Sequence, residues 1–152
     1  MNCVVLYATS TGNTEKIALS IAKNLNINCI KLNENSTYDN LNLKNYDLVL
    51  LGSGIYGGTL HKNLINFINS INTTDKKTFS FFISWFGRGH SDKKAINRCK
   101  NVLLEKNQNV IDNYYECYGE GFLFIKKGHP SEQELHSAIQ WAKEVINGQK
   151  KL

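Results

Sequence analysis

The chain holds one proline, one methionine and two arginines, and no unbroken apolar run approaches the ~18–20 residues of a membrane-spanning helix. Each scarcity removes a class of reading. With Pro130 as the single proline there is no Pro-rich linker, and no internal repeat or low-complexity stretch divides the chain. Lysines cluster only in short pairs such as Lys126–Lys127 and Lys150–Lys151, so no basic run interleaved with aromatics marks a nucleic-acid surface. The cysteines Cys3, Cys29, Cys99 and Cys117 stand far apart, with no C-x-x-C and no zinc-ligand spacing. They read as reduced, small buried hydrophobes. His61, His129 and His136 also lack metal-ligand spacing and read as surface residues. The first residues lead directly into an apolar segment, without the basic start and cleavage site of a secretory signal. A cytoplasmic protein is expected.

What is present is an ordinary globular composition. The 152 residues are 41% hydrophobic and 20% charged, enough for one domain over 1–152 with a buried core. The formal net charge is +5 and the sequence pI is about 9.0. That balance can favour acidic partners, although the dispersed lysines read first as solvated.

Hydrophobic periodicity alternates between strand and helix. "CVVLYA" (3–8) is a continuous apolar run, as in a strand covered on both faces. From Asn13, Ile17, Ile21 and Leu25 recur four apart on a helical face. "NCIKL" (28–32) is a second strand, and the polar stretch 33–45 has room for a brief helix near Leu41 and Leu43. "YDLVLLGS" (46–53) is the third strand, followed by a helix bearing Leu64, Phe67, Ile68 and Ile71. "TFSFFIS" (78–84) is the fourth, followed by a helix with Ile96, Cys99, Val102 and Leu103. "NVIDNYYECY" (109–118) reads as one fifth strand. In the last helix Ser131 and Glu134 form a capping box, Leu135, Ala138, Ile139, Ala142, Val145 and Ile146 make the apolar stripe, and Gly148 is expected to end it. Repeated β-α units predict an α/β fold, a doubly wound five-stranded parallel sheet with helices on both faces. In such sheets a ligand sits beyond the carboxyl ends of the strands, where the strand order reverses.

Gly52, Gly54 and Gly57 form a literal G-x-G-x-x-G, but this triplet follows the third strand, and no helix begins before about His61. A dinucleotide fingerprint belongs after the first strand, with its last glycine inside the helix that opens there. The loop after the first strand instead reads "TSTGNT". Thr9, Ser10, Thr11 and Thr14 supply hydroxyls, and Gly12 and Asn13 complete a turn into a helix. Free N–H groups at a helix N-terminus, with neutral hydroxyl donors beside them, can cradle a phosphate without a cation. No G-K-[ST] follows, which argues against a nucleoside triphosphate. After the fourth strand, "SWFGRGH" places Ser84, Trp85, Phe86, Gly87, Arg88 and His90 at the same end.

The T-S-T-G-N-T turn after an N-terminal apolar strand resembles the phosphate loop of flavodoxins, and the strand count and spacing fit a short-chain member across nearly the whole chain. The resemblance implies strand order 2-1-3-4-5 and bound flavin mononucleotide (FMN), with Thr9 to Thr14 at the 5′-phosphate. It places Ser53, Gly54, Ile55, Tyr56, Gly57 and Gly58 in the second flavin loop. There Tyr56 stacks on the ring, and the Gly57 peptide can turn its carbonyl to the reduced cofactor. The third loop departs from the family by offering Trp85 and Phe86, and either could cover the other flavin face. Arg88 and His90 either place positive charge near the flavin or a partner or are solvated loop residues, and "YGEGF" (118–122) forms the far rim without an assigned role. The function implied is a monomeric one-electron carrier working with a reductase and an acceptor protein, with no catalytic residues and no metal. The basic surface predicts a second reduction potential less negative than in acidic members. The alternative is a flavodoxin-fold oxidoreductase, such as a quinone or flavin reductase or a haem-pathway oxidase. A phosphorylated receiver domain is excluded, because the first and third strands end in Tyr7-Ala8-Thr9 and Gly52-Ser53-Gly54, without carboxylates.

Overall fold

The computed structural model describes residues 1–87, 89–121 and 126–149. Arg88, Phe122, Lys150 and Lys151 lie outside the described residues. Strand β1 (Cys3–Ala8) leads into helix α1 (Asn13–Leu25), β2 (Asn28–Lys31) and a short 3-10 turn at Leu43–Asn45. Then come β3 (Leu48–Tyr56), β4 (Thr59–Leu60), α2 (Lys62–Ser70), β5 (Thr78–Trp85) and α3 (Ser91–Glu105). The chain closes with β6 (Asn109–Val110), β7 (Tyr115–Tyr118) and α4 (Glu132–Gln149).

The strands pair in the order β2-β1-β3-β5-β6, with β7 also on β5. All of these pairings are parallel; β4 alone runs antiparallel, folding back on β3. The apolar runs form this sheet because both of its faces are covered. Val4, Leu6, Val49, Leu51, Phe79 and Phe81 pack under α2 and α3. Val5, Tyr7, Leu48, Leu50 and Phe82 pack under α1 and α4. Burying each such side chain stabilises the fold by about 1.5–3 kcal/mol.

Two expectations need correction. The fifth strand is two short pieces, because polar Asp112 and Asn113 turn out of the sheet between them. Lys100 anchors the excursion by donating to the Asp112 carbonyl at 2.7 Å, and Tyr114 donates to Asp92 at 2.7 Å. Gly148 does not end α4, which continues to Gln149, and its backbone stays outside the left-handed region of a glycine stop. The capping box forms as expected, with Ser131 N–H donating to Glu134 at 2.7 Å and Glu134 N–H to Ser131 Oγ at 3.3 Å.

The lysines are not uniformly solvated either. Lys77, 3% exposed, donates to the carbonyls of Lys44 and Tyr46, and Lys106 donates to those of Asn69 and Ile71 at the end of α2. All four cysteines are free thiols. Burial pushes Cys3 and Cys117 up to about 12 and Cys99 and Cys29 up to about 11, which disfavours their thiolates at neutral pH.

Candidate functional site

The strand order reverses between β1 and β3, and their carboxyl ends open into a cleft of about 230 Å³. Its walls are Thr11, Asn13, Gly54, Ile55, Tyr56, Ser84, Trp85, Phe86 and Gly119, so all three expected loops meet there. No lysine, arginine or carboxylate is among these wall residues.

The first loop turns on Gly12, whose φ of 86° lies in the left-handed region that glycine enters without a Cβ penalty. Gly12 N–H donates to Thr9 Oγ1 at 3.0 Å, and the helix ladder begins with Lys16 N–H on the Gly12 carbonyl. Among the described residues, no acceptor engages the N–H groups of Asn13, Thr14 or Glu15. These orphan donors, at the positive end of the helix dipole, are what an anion requires. The hydroxyls divide into two kinds. Ser10 and Thr11 are exposed, and the hydroxyls of Thr9 and Thr11 act as acceptors in the loop, so each keeps its proton to donate. Thr14 is fully buried, and its hydroxyl pairs with Ser84 Oγ at 2.9 Å, joining α1 to β5.

The second loop is a hairpin. Ile55 pairs with Leu60 and Tyr56 with Thr59, leaving a two-residue turn with φ of 57° at Gly57 and 78° at Gly58. Two successive positive values suit the right-handed twist of the flanking strands, which accounts for the adjacent glycines. Ser53 is fully buried and fastens this hairpin by accepting from His61 N–H at 2.8 Å and donating to the Gly54 carbonyl at 2.7 Å. Each glycine of the triplet therefore has its own local cause. A Cβ on Gly52 would lie 2.2 Å from Phe82 Cζ, one on Gly54 would meet the Tyr56 ring and hydroxyl at 2.7–2.9 Å, and Gly57 forms the turn. The triplet opens no helix.

Tyr56 reaches back across the site. Its hydroxyl accepts from Ser10 N–H at 2.9 Å, tying the second loop to the first, and its ring meets His61 edge-on at 5.3 Å. His61 was expected on the surface but caps α2, its Nδ1 accepting from Asn63 N–H at 3.2 Å. Burial, assisted by Lys62, lowers its pKa and keeps it neutral.

In the third loop Trp85 is half-buried, and its indole N–H donates to Glu116 at 2.9 Å. Phe86 is 42% exposed. Gly87 lies away from the cleft, beneath the ring of Tyr118 in a neighbouring cavity, and Gly57 and Gly58 sit at the hairpin tip. His129 was also expected on the surface, but its Nδ1 pairs with Glu134 at 2.7 Å. The sequence assigned no role to Gly119, yet it completes the cleft wall. Asn13 Nδ2 donates to the Glu120 carbonyl at 2.7 Å, and a Cβ on Gly119 would lie 2.8 Å from that nitrogen. The signal available was the glycine of "YGEG" just past a strand end.

With this geometry in view, the family comparison is decisive. The model of the flavodoxin domain family matches residues 4–120. The chain belongs to the flavodoxin family. An uncharacterised protein of Methanocaldococcus jannaschii is 32% identical over 151 residues, spanning 96% of this chain and 99% of its own. A flavodoxin-like domain-containing protein of Clostridioides difficile, BilS, is 31% identical over 183 residues, with 96% and 97% covered. Among solved structures, oxidised flavodoxin 1 from Bacillus cereus matches with TM-score 0.76 at 19% identity, covering 97% of this chain and 98% of that one. A flavodoxin, WrbA-like protein from Agrobacterium tumefaciens matches with TM-score 0.77 at 14% identity, covering 99% of each. At those identities the structural likeness speaks for the fold, and this flavodoxin-family fold puts the cleft at the switch point between β1 and β3.

Proposed function

We infer that the protein binds FMN in the cleft between β1 and β3 and serves as an electron carrier. The observation that carries this reading is the set of unengaged N–H groups at Asn13, Thr14 and Glu15, beside a slot walled by Tyr56, Trp85 and Phe86. A phosphate fits the first feature and a flat aromatic ring the second. The flavin supplies the redox chemistry when bound.

The protein's part is placement. Thr9, Ser10 and Thr11 add hydroxyl donors around the helix terminus, while Thr14, Ser84 and Ser53 hold the three loops in register. Tyr56 provides one stacking wall, pinned through Ser10. Trp85, pinned through Glu116, is the fixed part of the opposite wall, and exposed Phe86 is the ring free to close over it. Gly57 supplies the adaptable carbonyl at the hairpin tip. No side chain in this arrangement needs to act as a base or nucleophile, and the net charge of +5 suits acidic protein partners, while a flavodoxin-fold reductase is the competing reading that the next experiment separates.

Anaerobic photoreduction of the FMN-loaded protein, followed by visible absorption, tests this. Reduction in two resolved one-electron stages is expected of a carrier. Passage directly to the two-electron-reduced form contradicts it and points to a reductase.

A further inference from the structure

Tyr56 has two open sides. Besides the cleft described above, it walls a second one of about 300 Å³ together with Ser10, Thr59, Leu60, His61, Lys62 and Ile65. The two spaces share only the Tyr56 residue among their wall residues. Its hydroxyl on Ser10 N–H and its edge against His61 hold it in place, so the second cleft is preformed.

The lining of this second cleft has a definite chemistry. Leu60 is buried, Ile65 is half-buried, and with the Tyr56 ring they present an apolar surface suited to a flat ring. The one formal charge is Lys62, exposed at the rim, and no carboxylate is among the wall residues. Among the described residues, Lys62 has no ion-pair partner. His61 is neutral here, because its Nδ1 accepts from Asn63 N–H. An apolar slot with a single unpaired cation at its mouth complements an amphipathic anion.

We propose that the cleft behind Tyr56 is a second small-molecule site, which takes a planar aromatic carboxylate or sulfonate with its ring against Tyr56, Leu60 and Ile65 and its anion at Lys62. This rests on the flavin reading in two respects: the first cleft is filled by something else, and Ser10, placed at the phosphate by that reading, keeps its face toward the second cleft open. A ligand so placed would touch the same tyrosine that walls the flavin cleft, which would make the site a place where a small redox partner could dock without displacing the cofactor.

The test is a titration of 2-naphthoate into the FMN-loaded protein, following the methyl resonances of Leu60 and Ile65 and the flavin absorbance together. Saturable methyl shifts with FMN retained are expected, and Lys62→Glu should weaken 2-naphthoate about tenfold. Lys62 is the first residue of α2, where an acidic side chain suits the helix dipole, so this variant should fold. Neutral 2-naphthalenemethanol should be insensitive to the substitution. Displacement of FMN, absence of methyl shifts, or equal 2-naphthoate affinity in Lys62→Glu would each overturn the proposal. If FMN itself does not bind, the flavin reading fails, and the same titration of the cofactor-free protein still decides the second cleft.

Discussion

The two ends of the sheet are built from the same strands and treat their polar groups in opposite ways. At the amino end, the Lys77 ammonium donates to two carbonyls and the Lys77 backbone N–H donates to Gln108 Oε1 at 2.9 Å, while Asn2 N–H donates to Asp47 at 2.7 Å. Polar groups there are closed on one another. At the carboxyl end, three N–H groups of α1 and the Ser10 hydroxyl have no partner among the described residues, and Phe86 stands exposed beside them. The difference shows that a polar or aromatic residue type does not mark a site by itself. What marks it is hydrogen-bonding capacity and apolar surface left unengaged.

The comparison can be broken most forcefully at Gly52. Alanine there would place Cβ 2.2 Å from the ring of buried Phe82, and urea unfolding should show a loss of roughly 3 kcal/mol. A loss under about 0.5 kcal/mol, the range of an ordinary surface change, would mean that the packing around β3 is looser than described. Next is Lys77→Met, which leaves the Lys44 and Tyr46 carbonyls unpaired at the closed end. About 2 kcal/mol of stability should go, with FMN affinity of the folded protein unchanged. If FMN affinity fell instead, the two ends would not be independent.

Gly54→Ala should behave differently from Gly52→Ala, although both glycines belong to one motif. The clashing group is the far end of the half-exposed Tyr56 side chain, which can swing aside by giving up its hydrogen bond from Ser10 N–H. Stability should change by less than about 1 kcal/mol, while FMN binding weakens about tenfold through the displaced ring. Equal stability losses in the two variants would erase the distinction. The smallest effect concerns pH. Burial alone would raise the Glu134 pKa, but donors from Ser131, His129 and Tyr118 outweigh it, and the net shift is downward from 4.5. Its stabilisation is complete above pH 4.5 and is lost as pH falls through the lower folded value. Glu134→Gln should therefore flatten the acid limb of a stability–pH curve below pH 4.5 and leave the curve near neutrality unshaped.

Much of this was legible in the sequence, because continuous apolar runs and four-residue stripes report burial directly. The order of elements, the helix start at Asn13, the capping box at Ser131 and the convergence of three loops follow from such patterns. The break at Asp112–Asn113 was not legible. Tyr114 and Tyr115 on one side and Val110 and Ile111 on the other give the run a strand-like composition, and the anchoring by Lys100 is a tertiary contact. The same limit applies to the hydroxyls of the first loop. Thr14 and Thr11 look equivalent in "TSTGNT", and only packing against Ser84 separates the framework residue from the exposed one. Lys77 departs from the solvated reading for a related reason, since a long side chain is buried when carbonyls await its ammonium, and the capping role of half-buried His61 is likewise a contact the sequence does not spell out.

The most direct test of the unengaged donors at Asn13, Thr14 and Glu15 is a calorimetric titration of the cofactor-free protein with FMN and, separately, with riboflavin. Both share the ring that the Tyr56 slot receives, and only FMN carries a phosphate. One FMN per chain, with riboflavin weaker by at least about 100-fold because the charge-assisted hydrogen bonds to the phosphate are lost, is the expected result. Equal affinity for the two, or no binding of either, would contradict the account.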